Sequence, residues 1–167
     1  MKPSSFTATL LLALWSGASA QRIPKSPSRG WKVLTASDLD EDWRKQSPTR
    51  FAVARGDFDG DGKPDEARLM LSRAGKRLAL VVRLSTGGER VIEEWDRRAL
   101  KRHGVVTLPP GRYRTACGKG YFECGPREPE ELVTRWDGID FFYEESADGV
   151  YYMTKPGSDF VYIRLSD

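Results

Sequence analysis

Residues 57 to 65 read Asp57-Phe58-Asp59-Gly60-Asp61-Gly62-Lys63-Pro64-Asp65. Carboxylates at the first, third, fifth and ninth places of such a run are the donors a hard divalent cation needs, since calcium takes about six to eight oxygens at roughly 2.3–2.6 Å. Gly62, sixth in the run, suits the sharp bend, because glycine enters that backbone region without a Cβ penalty. The carboxylates also repel one another: two unit charges about 4 Å apart at an effective dielectric of about 20 cost about 4 kcal/mol. Something positive is therefore expected among them, either a bound calcium ion or the neighbouring Arg55, Lys63 and Arg68 with water.

The elements around the run decide which calcium motif it can be. An EF-hand would place a bidentate Glu at the twelfth position and a helix on each side, whereas the twelfth residue here is Arg68. Phe51-Ala52-Val53-Ala54-Arg55 precedes the run, and Ala67-Arg68-Leu69-Met70-Leu71-Ser72 follows with strand-like alternation. Strand, acidic loop, strand resembles the calcium loops of FG-GAP or VCBS-type repeats, Asp-x-Asp/Asn-Gly-Asp-Gly-x-x-Asp between antiparallel strands. The resemblance implies Ca2+ held by the side chains of Asp57, Asp59, Asp61 and Asp65 and by the carbonyl of Lys63. The motif occurs once in this chain, which argues against a many-bladed propeller.

Most of the chain reads as short strands punctuated by turn residues. Arg77-Leu78-Ala79-Leu80-Val81-Val82-Arg83-Leu84 predicts a buried strand, and Thr86-Gly87-Gly88 joins it to Arg90-Val91-Ile92-Glu93-Glu94-Trp95 in an antiparallel meander. Val105–Leu108, Leu132–Thr134, Gly138–Tyr143, Val150–Met153 and Phe160–Leu165 follow, and Lys155-Pro156-Gly157-Ser158 fits a type II turn. Ser37 to Lys45 predicts one short helix with Ser37 as N-cap, acids in its first turn, and Leu39 and Trp43 on the docking face. Residues 96 to 104 tolerate a helix or a turn. The expected fold is mainly β, an antiparallel β-sandwich or small propeller-like sheet with that one N-terminal helix.

The N-terminal residues and the two cysteines bear on location and redox state. Lys2, the apolar run Phe6 to Trp15 and Ala18-Ser19-Ala20 predict a signal peptide over residues 1–20. A flexible leader over 21–30 and a single β domain over 31–167 complete the expected division. Removing residues 1–20 leaves 147 residues and takes away Lys2, so a formal charge of +3 becomes +2, too balanced for a nucleic-acid protein. No stretch is long enough to span a bilayer, and no cysteine follows Ala20 to carry a lipid. The expected location is periplasmic or secreted. There the only two cysteines, Cys117 and Cys124, should pair.

Catalysis finds little support. Nucleophilic triads need an imidazole, and the lone His103 falls in Lys101-Arg102-His103-Gly104, a solvated turn by pattern. The expectation is a binding protein, not an enzyme. Arg112 to Cys124 is a glycine-rich loop that presents Lys119, Tyr121 and Phe122 to a partner; alternatively Tyr121 and Phe122 fold back and the bridge ties a hairpin. Glu128-Pro129-Glu130-Glu131 is an acidic turn, either solvated or facing a basic partner.

Residues 105 to 152 resemble small exported bacterial proteins that carry a single calcium loop, with Pro-Pro-Gly-Arg-Tyr, Ala-Cys-Gly-Lys-Gly-Tyr-Phe-Glu-Cys and Asp-Gly-Ile-Asp-Phe-Phe-Tyr-Glu-Glu-Ser as the shared segments. The general plan is similar to calcium-binding periplasmic immunity proteins and to periplasmic lysozyme inhibitors, although the Ser-Gly-x-x-Tyr motif of the latter is absent. The resemblance implies an inhibitor or immunity protein whose partner is a secreted hydrolase or effector of the bacterial envelope. The alternative is a carbohydrate- or peptidoglycan-binding module that stacks sugars on Trp136, Tyr143, Tyr151 and Tyr152.

Overall fold

The computed structural model describes residues 30–167; the expected signal peptide and nearly all of the expected leader lie outside the described residues. Eleven strands and three short 3-10 turns follow one another along it. In the first sheet, β3 (Asp65–Ser72), β4 (Arg77–Arg83) and β5 (Glu89–Asp96) form the expected meander. β1 (Trp31–Val33) and β2 (Val53–Gly56) share the other edge of β3, β2 beside Asp65–Arg68 and β1 beside Met70–Ser72. The second sheet runs β11 (Phe160–Arg164), β10 (Asp148–Met153), β9 (Gly138–Tyr143), β6 (His103–Leu108), all antiparallel. β7 (Gly111–Arg114) and β8 (Glu131–Thr134) pair separately.

Period-two alternation explains how the two main sheets meet. Leu78, Leu80 and Val82 of β4 and Leu69 and Leu71 of β3 face Val105, Ile139, Phe141, Tyr151 and Met153 of the second sheet in one core. Their β4 neighbours Ala79 and Val81 point the other way, where Trp31 and Met70 cover them. On the far side of the second sheet, Val150 and Ile163 pack with Leu132 of β8. The architecture is therefore mainly β and sandwich-like.

The single N-terminal helix is not formed. Ala36–Asp38 and Asp42–Gln46 make two separate 3-10 turns instead. Thr35, not Ser37, stands at the first N-cap, and Asp38 Oδ2 accepts from both Thr35 N (3.0 Å) and Thr35 Oγ1 (2.6 Å). Aspartates at 38, 40 and 42 are poor helix formers that compete for backbone donors, which favours two capped turns over one helix. Leu39 is buried, and Trp43 stacks on Phe51 at 5.5 Å, yet the most deeply placed side chain of this segment is Arg44. Its guanidinium donates to the carbonyls of Arg50 (2.9 Å), His103 (2.6 Å) and Leu100.

Residues 97–101 also close into a 3-10 turn, capped by Asp96, whose Oδ1 accepts from Arg98 N at 2.9 Å. His103 is no surface turn residue. It opens β6, half-buried, with Nδ1 2.7 Å from the Ala99 carbonyl and its ring against Phe141 and Tyr143. Among the described residues no helix is long and apolar enough to cross a membrane.

Candidate metal centre

The acidic run is the connection of a β-hairpin, closed where Gly56 of β2 sits opposite Asp65 of β3. Within it Phe58 is fully buried and anchors the loop in the core, so the residues on either side of Phe58 are held at the mouth of the sandwich. Asp57, Asp59 and Asp61 then converge: one carboxylate oxygen from each lies within 4.8 Å of the others. Gly60 and Gly62 take φ of +78° each, the left-handed conformation that folds the chain back over these oxygens.

Backbone amides organise the carboxylates. Asp57 Oδ1 accepts from Gly60 N (2.7 Å) and Asp61 N (3.0 Å), and its Oδ2 accepts from Gly62 N (3.0 Å). Asp61 Oδ1 accepts from Lys63 N at 2.8 Å, while Asp61 Oδ2 accepts from the Ser85 hydroxyl at 2.7 Å. That hydroxyl holds the Asp61 carboxyl below its ordinary pKa. Burial pushes Asp59 upward, because desolvation penalises its charge.

Asp65 stands apart from the converging trio. It is fully buried, and its two oxygens are taken by Phe58 N (2.8 Å) and Ser85 N (2.7 Å). Burial raises its pKa to about 6. In this arrangement it is a bracket that ties the loop to the β4–β5 turn. Lys63 contributes its amide to Asp61, and its exposed Nζ lies 3.9 Å from Asp61 Oδ2.

Two of the three local cations are committed elsewhere. Arg55 and Arg68 both pair with Glu66, at 3.0 Å and 2.6 Å, and so spend their charge on β3 instead of the loop. Among the described residues the solvated Lys63 ammonium is the one cation paired with the three converging carboxylates. An all-oxygen donor set of three carboxylates with one solvated ammonium beside it fits a hard cation. Asp57, Asp59 and Asp61 are the residues that could hold one.

Two further residues that the linear pattern did not single out as part of the site brace it from the β8–β9 connection. Asp137 Oδ2 accepts from Asp57 N (2.9 Å), and Asp137 N donates to the Asp57 carbonyl (3.0 Å). Trp136 lies so close to Gly60 that an added Cβ would stand 2.7 Å from its Cε3. The only local hint was the turn dipeptide Asp137-Gly138; nothing in the spacing paired it with residue 57, which lies 80 positions away.

The second predicted site is the cysteine loop. Cys117 and Cys124 are bonded, compatible with an oxidising exported location. Gly118 fits where no side chain could, a Cβ there lying 1.9 Å from the Glu130 carbonyl oxygen. Lys119 Nζ donates to the Leu165 carbonyl at 2.7 Å, and Arg164 sits 4.0 Å over the Phe122 ring. Tyr121 alone of the three projects freely, at 54% exposure. In the acidic turn Glu128 pairs with Arg164 at 3.1 Å and Glu131 with Arg112, while Glu130 is exposed.

The four aromatics of the stacking alternative do not share a surface. Tyr151 and Tyr152 point to opposite faces of β10, Tyr151 into the main core and Tyr152 towards Leu132 and Val150, while Trp136 covers Gly60. No protein-family model, no curated protein and no solved structure matches this chain.

Proposed function

We propose that this protein is an exported, calcium-stabilised binding protein that docks on a partner through its cysteine loop. The observation that carries the reading is the convergence of Asp57, Asp59 and Asp61 while Arg55 and Arg68 are committed to Glu66. Calcium would be held by those three side chains with the Lys63 carbonyl. In the repeat-type loops that this segment resembles, the counterpart of Asp65 is also a ligand, and each Asp65 oxygen, accepting one amide, keeps a lone pair that an ion could use. The ion would supply the missing positive charge and hold the hairpin against Trp136 and Asp137.

Tyr121, bare on a loop braced by Lys119 and Phe122, has the properties of a low-entropy-cost anchor. Its partner, on the similarity to periplasmic immunity proteins and lysozyme inhibitors, is a secreted peptidoglycan-degrading enzyme or effector, inhibited by occlusion of its cleft. Calorimetric titration with CaCl2 tests the first half, and Asp59→Ala should abolish the heat. Capture of an exported muramidase in CaCl2-containing buffer tests the second. Loss of capture in Tyr121→Ala supports the loop assignment, and unchanged capture discards it.

A further inference from the structure

Charge is separated along the strands of the first sheet. The acidic loop and the β4–β5 turn close one end of β3 and β4, where Asp57, Asp59, Asp61 and Asp65 gather. From Asp65, β3 runs eight residues to the opposite end, a rise of about 24 Å.

At that opposite end the β3–β4 turn and the 3-10 turn at 97–101 are stitched into one surface. Arg97 N donates to the Lys76 carbonyl (3.0 Å), Arg97 Nη1 donates to the Gly75 carbonyl (3.4 Å), and Arg77 stands opposite Asp96 in register. A 3-10 turn repeats every three residues, so Arg98 and Lys101 share its outer side while Leu100 is buried. Arg73, Lys76, Arg98, Lys101 and Arg102 are all exposed.

Much of this positive charge has no local answer. Arg77 pairs with Glu94 (3.6 Å), Arg97 with Asp38 (3.1 Å) and Arg98 with Asp96 (3.1 Å). Among the described residues no carboxylate lies within ion-pair distance of Arg73, Lys76, Lys101 or Arg102. Glu144 and Glu145 face this end from the β9–β10 turn, but there Arg102 Nη2 donates to the Glu144 carbonyl (3.0 Å) and its guanidinium lies 4.3 Å over the Tyr143 ring. The chain also enters the fold at this end, since Arg73 N donates to the Gly30 carbonyl at 2.9 Å. Residues 21–29, just before Gly30, add Arg22, Lys25 and Arg29 and no acid.

We propose that this basic end docks on an anionic lipid surface, with headgroup phosphates facing Arg73, Lys76, Lys101 and Arg102. The bases are spread over two turns and the start of β6, which suits a plane of headgroups better than a single polymer chain. Each base held near such a surface contributes about 1 kcal/mol, a factor of about five in partitioning. β3 and β4 would then run away from the lipid and carry the acidic loop towards solution. Docking uses neither a calcium ion nor Tyr121, so its failure would leave the proposed function standing.

The test is co-sedimentation of the full chain with vesicles of phosphatidylcholine alone and of phosphatidylcholine with an equal share of phosphatidylglycerol. The uncharged vesicles report any apolar contribution from residues 1–20. At about 20 mM NaCl the anionic vesicles should be preferred about tenfold or more, and about 300 mM NaCl should remove most of that preference. Lys76→Gln and Lys101→Gln should each weaken anionic binding about fivefold with unchanged circular dichroism. Lys155→Gln removes the same charge from the β10–β11 turn at the other end and should change binding less than about twofold. Equal binding to both vesicles, or a loss in Lys155→Gln that matches the loss in Lys76→Gln, overturns the proposal. So does tighter binding to long-chain polyphosphate than to the anionic vesicles at equal phosphate, which would make the partner a soluble polymer.

Discussion

Asp140 on β9 carries a destabilising charge whose effect on folding can be switched with pH. Its carboxyl lies on the far side of the second sheet, opposite Val150 in register, and its buried Oδ1 has no hydrogen-bond partner. Burial, reinforced by the Asp148 carboxylate, raises its pKa from 3.8 to about 7. A raised carboxyl pKa means that the folded state binds the proton more tightly than the unfolded chain. The penalty is therefore absent below pH 3.8, grows as pH rises towards 7, and is complete above it. Three pH units at about 1.4 kcal/mol each give a penalty on the order of 4 kcal/mol at alkaline pH. Asp140→Asn keeps the shape and removes the charge. Urea unfolding of the variant and the parent, compared at matched pH, isolates this group and its coupling to Asp148, because the other carboxylates cancel. Near pH 4 the two should be nearly equal, and near pH 8 the variant should be more stable by up to about 4 kcal/mol, less the cost of burying its amide. A stability difference that stays flat across that range would refute the reasoning.

Three other substitutions probe the framework. Gly60→Ala forces a Cβ to 2.7 Å from Trp136 at a φ of +78°, so it should cost about 1–3 kcal/mol and weaken the calcium heat, read by thermal unfolding and titration. Arg44→Ala strands Glu41 and three carbonyls that the guanidinium serves, and unfolding in urea should show a loss of about 3–5 kcal/mol. Replacing Cys117 and Cys124 together by serine opens one short loop and should lower stability by about 2–3 kcal/mol without a change in the far-ultraviolet circular dichroism of the sheets.

Local rules, read along the chain, settled a good deal about this protein. Alternation in β3, β4 and β6 and turn chemistry at 86–88 and 155–158 named strands and hairpins, because a pleated strand half-buried in a sandwich must write its period into the sequence. The acidic run was legible for a similar reason: ligands supplied by one loop are neighbours in sequence, and Asp57, Asp59 and Asp61 do converge. Gly111–Arg114 escaped that reading because Pro109-Pro110 masks a strand of four residues. The 3-10 turns at 36–38 and 42–46 escaped it because competition between side chain and backbone, not helix periodicity, governs them.

Only the tertiary structure decided which charges answer one another. Arg55 and Arg68 look like counterions of the loop in sequence, yet strand pairing delivers both to Glu66. Asp65, expected as one more ligand, also receives Ser85 N from the β4–β5 turn, which ties the loop to that turn. Asp137 reaches Asp57 across 80 residues, and Trp95 meets Phe141 across the sandwich. Such contacts depend on which strands pair and which faces pack, quantities set by the burial of the whole core and written in no single window of the chain.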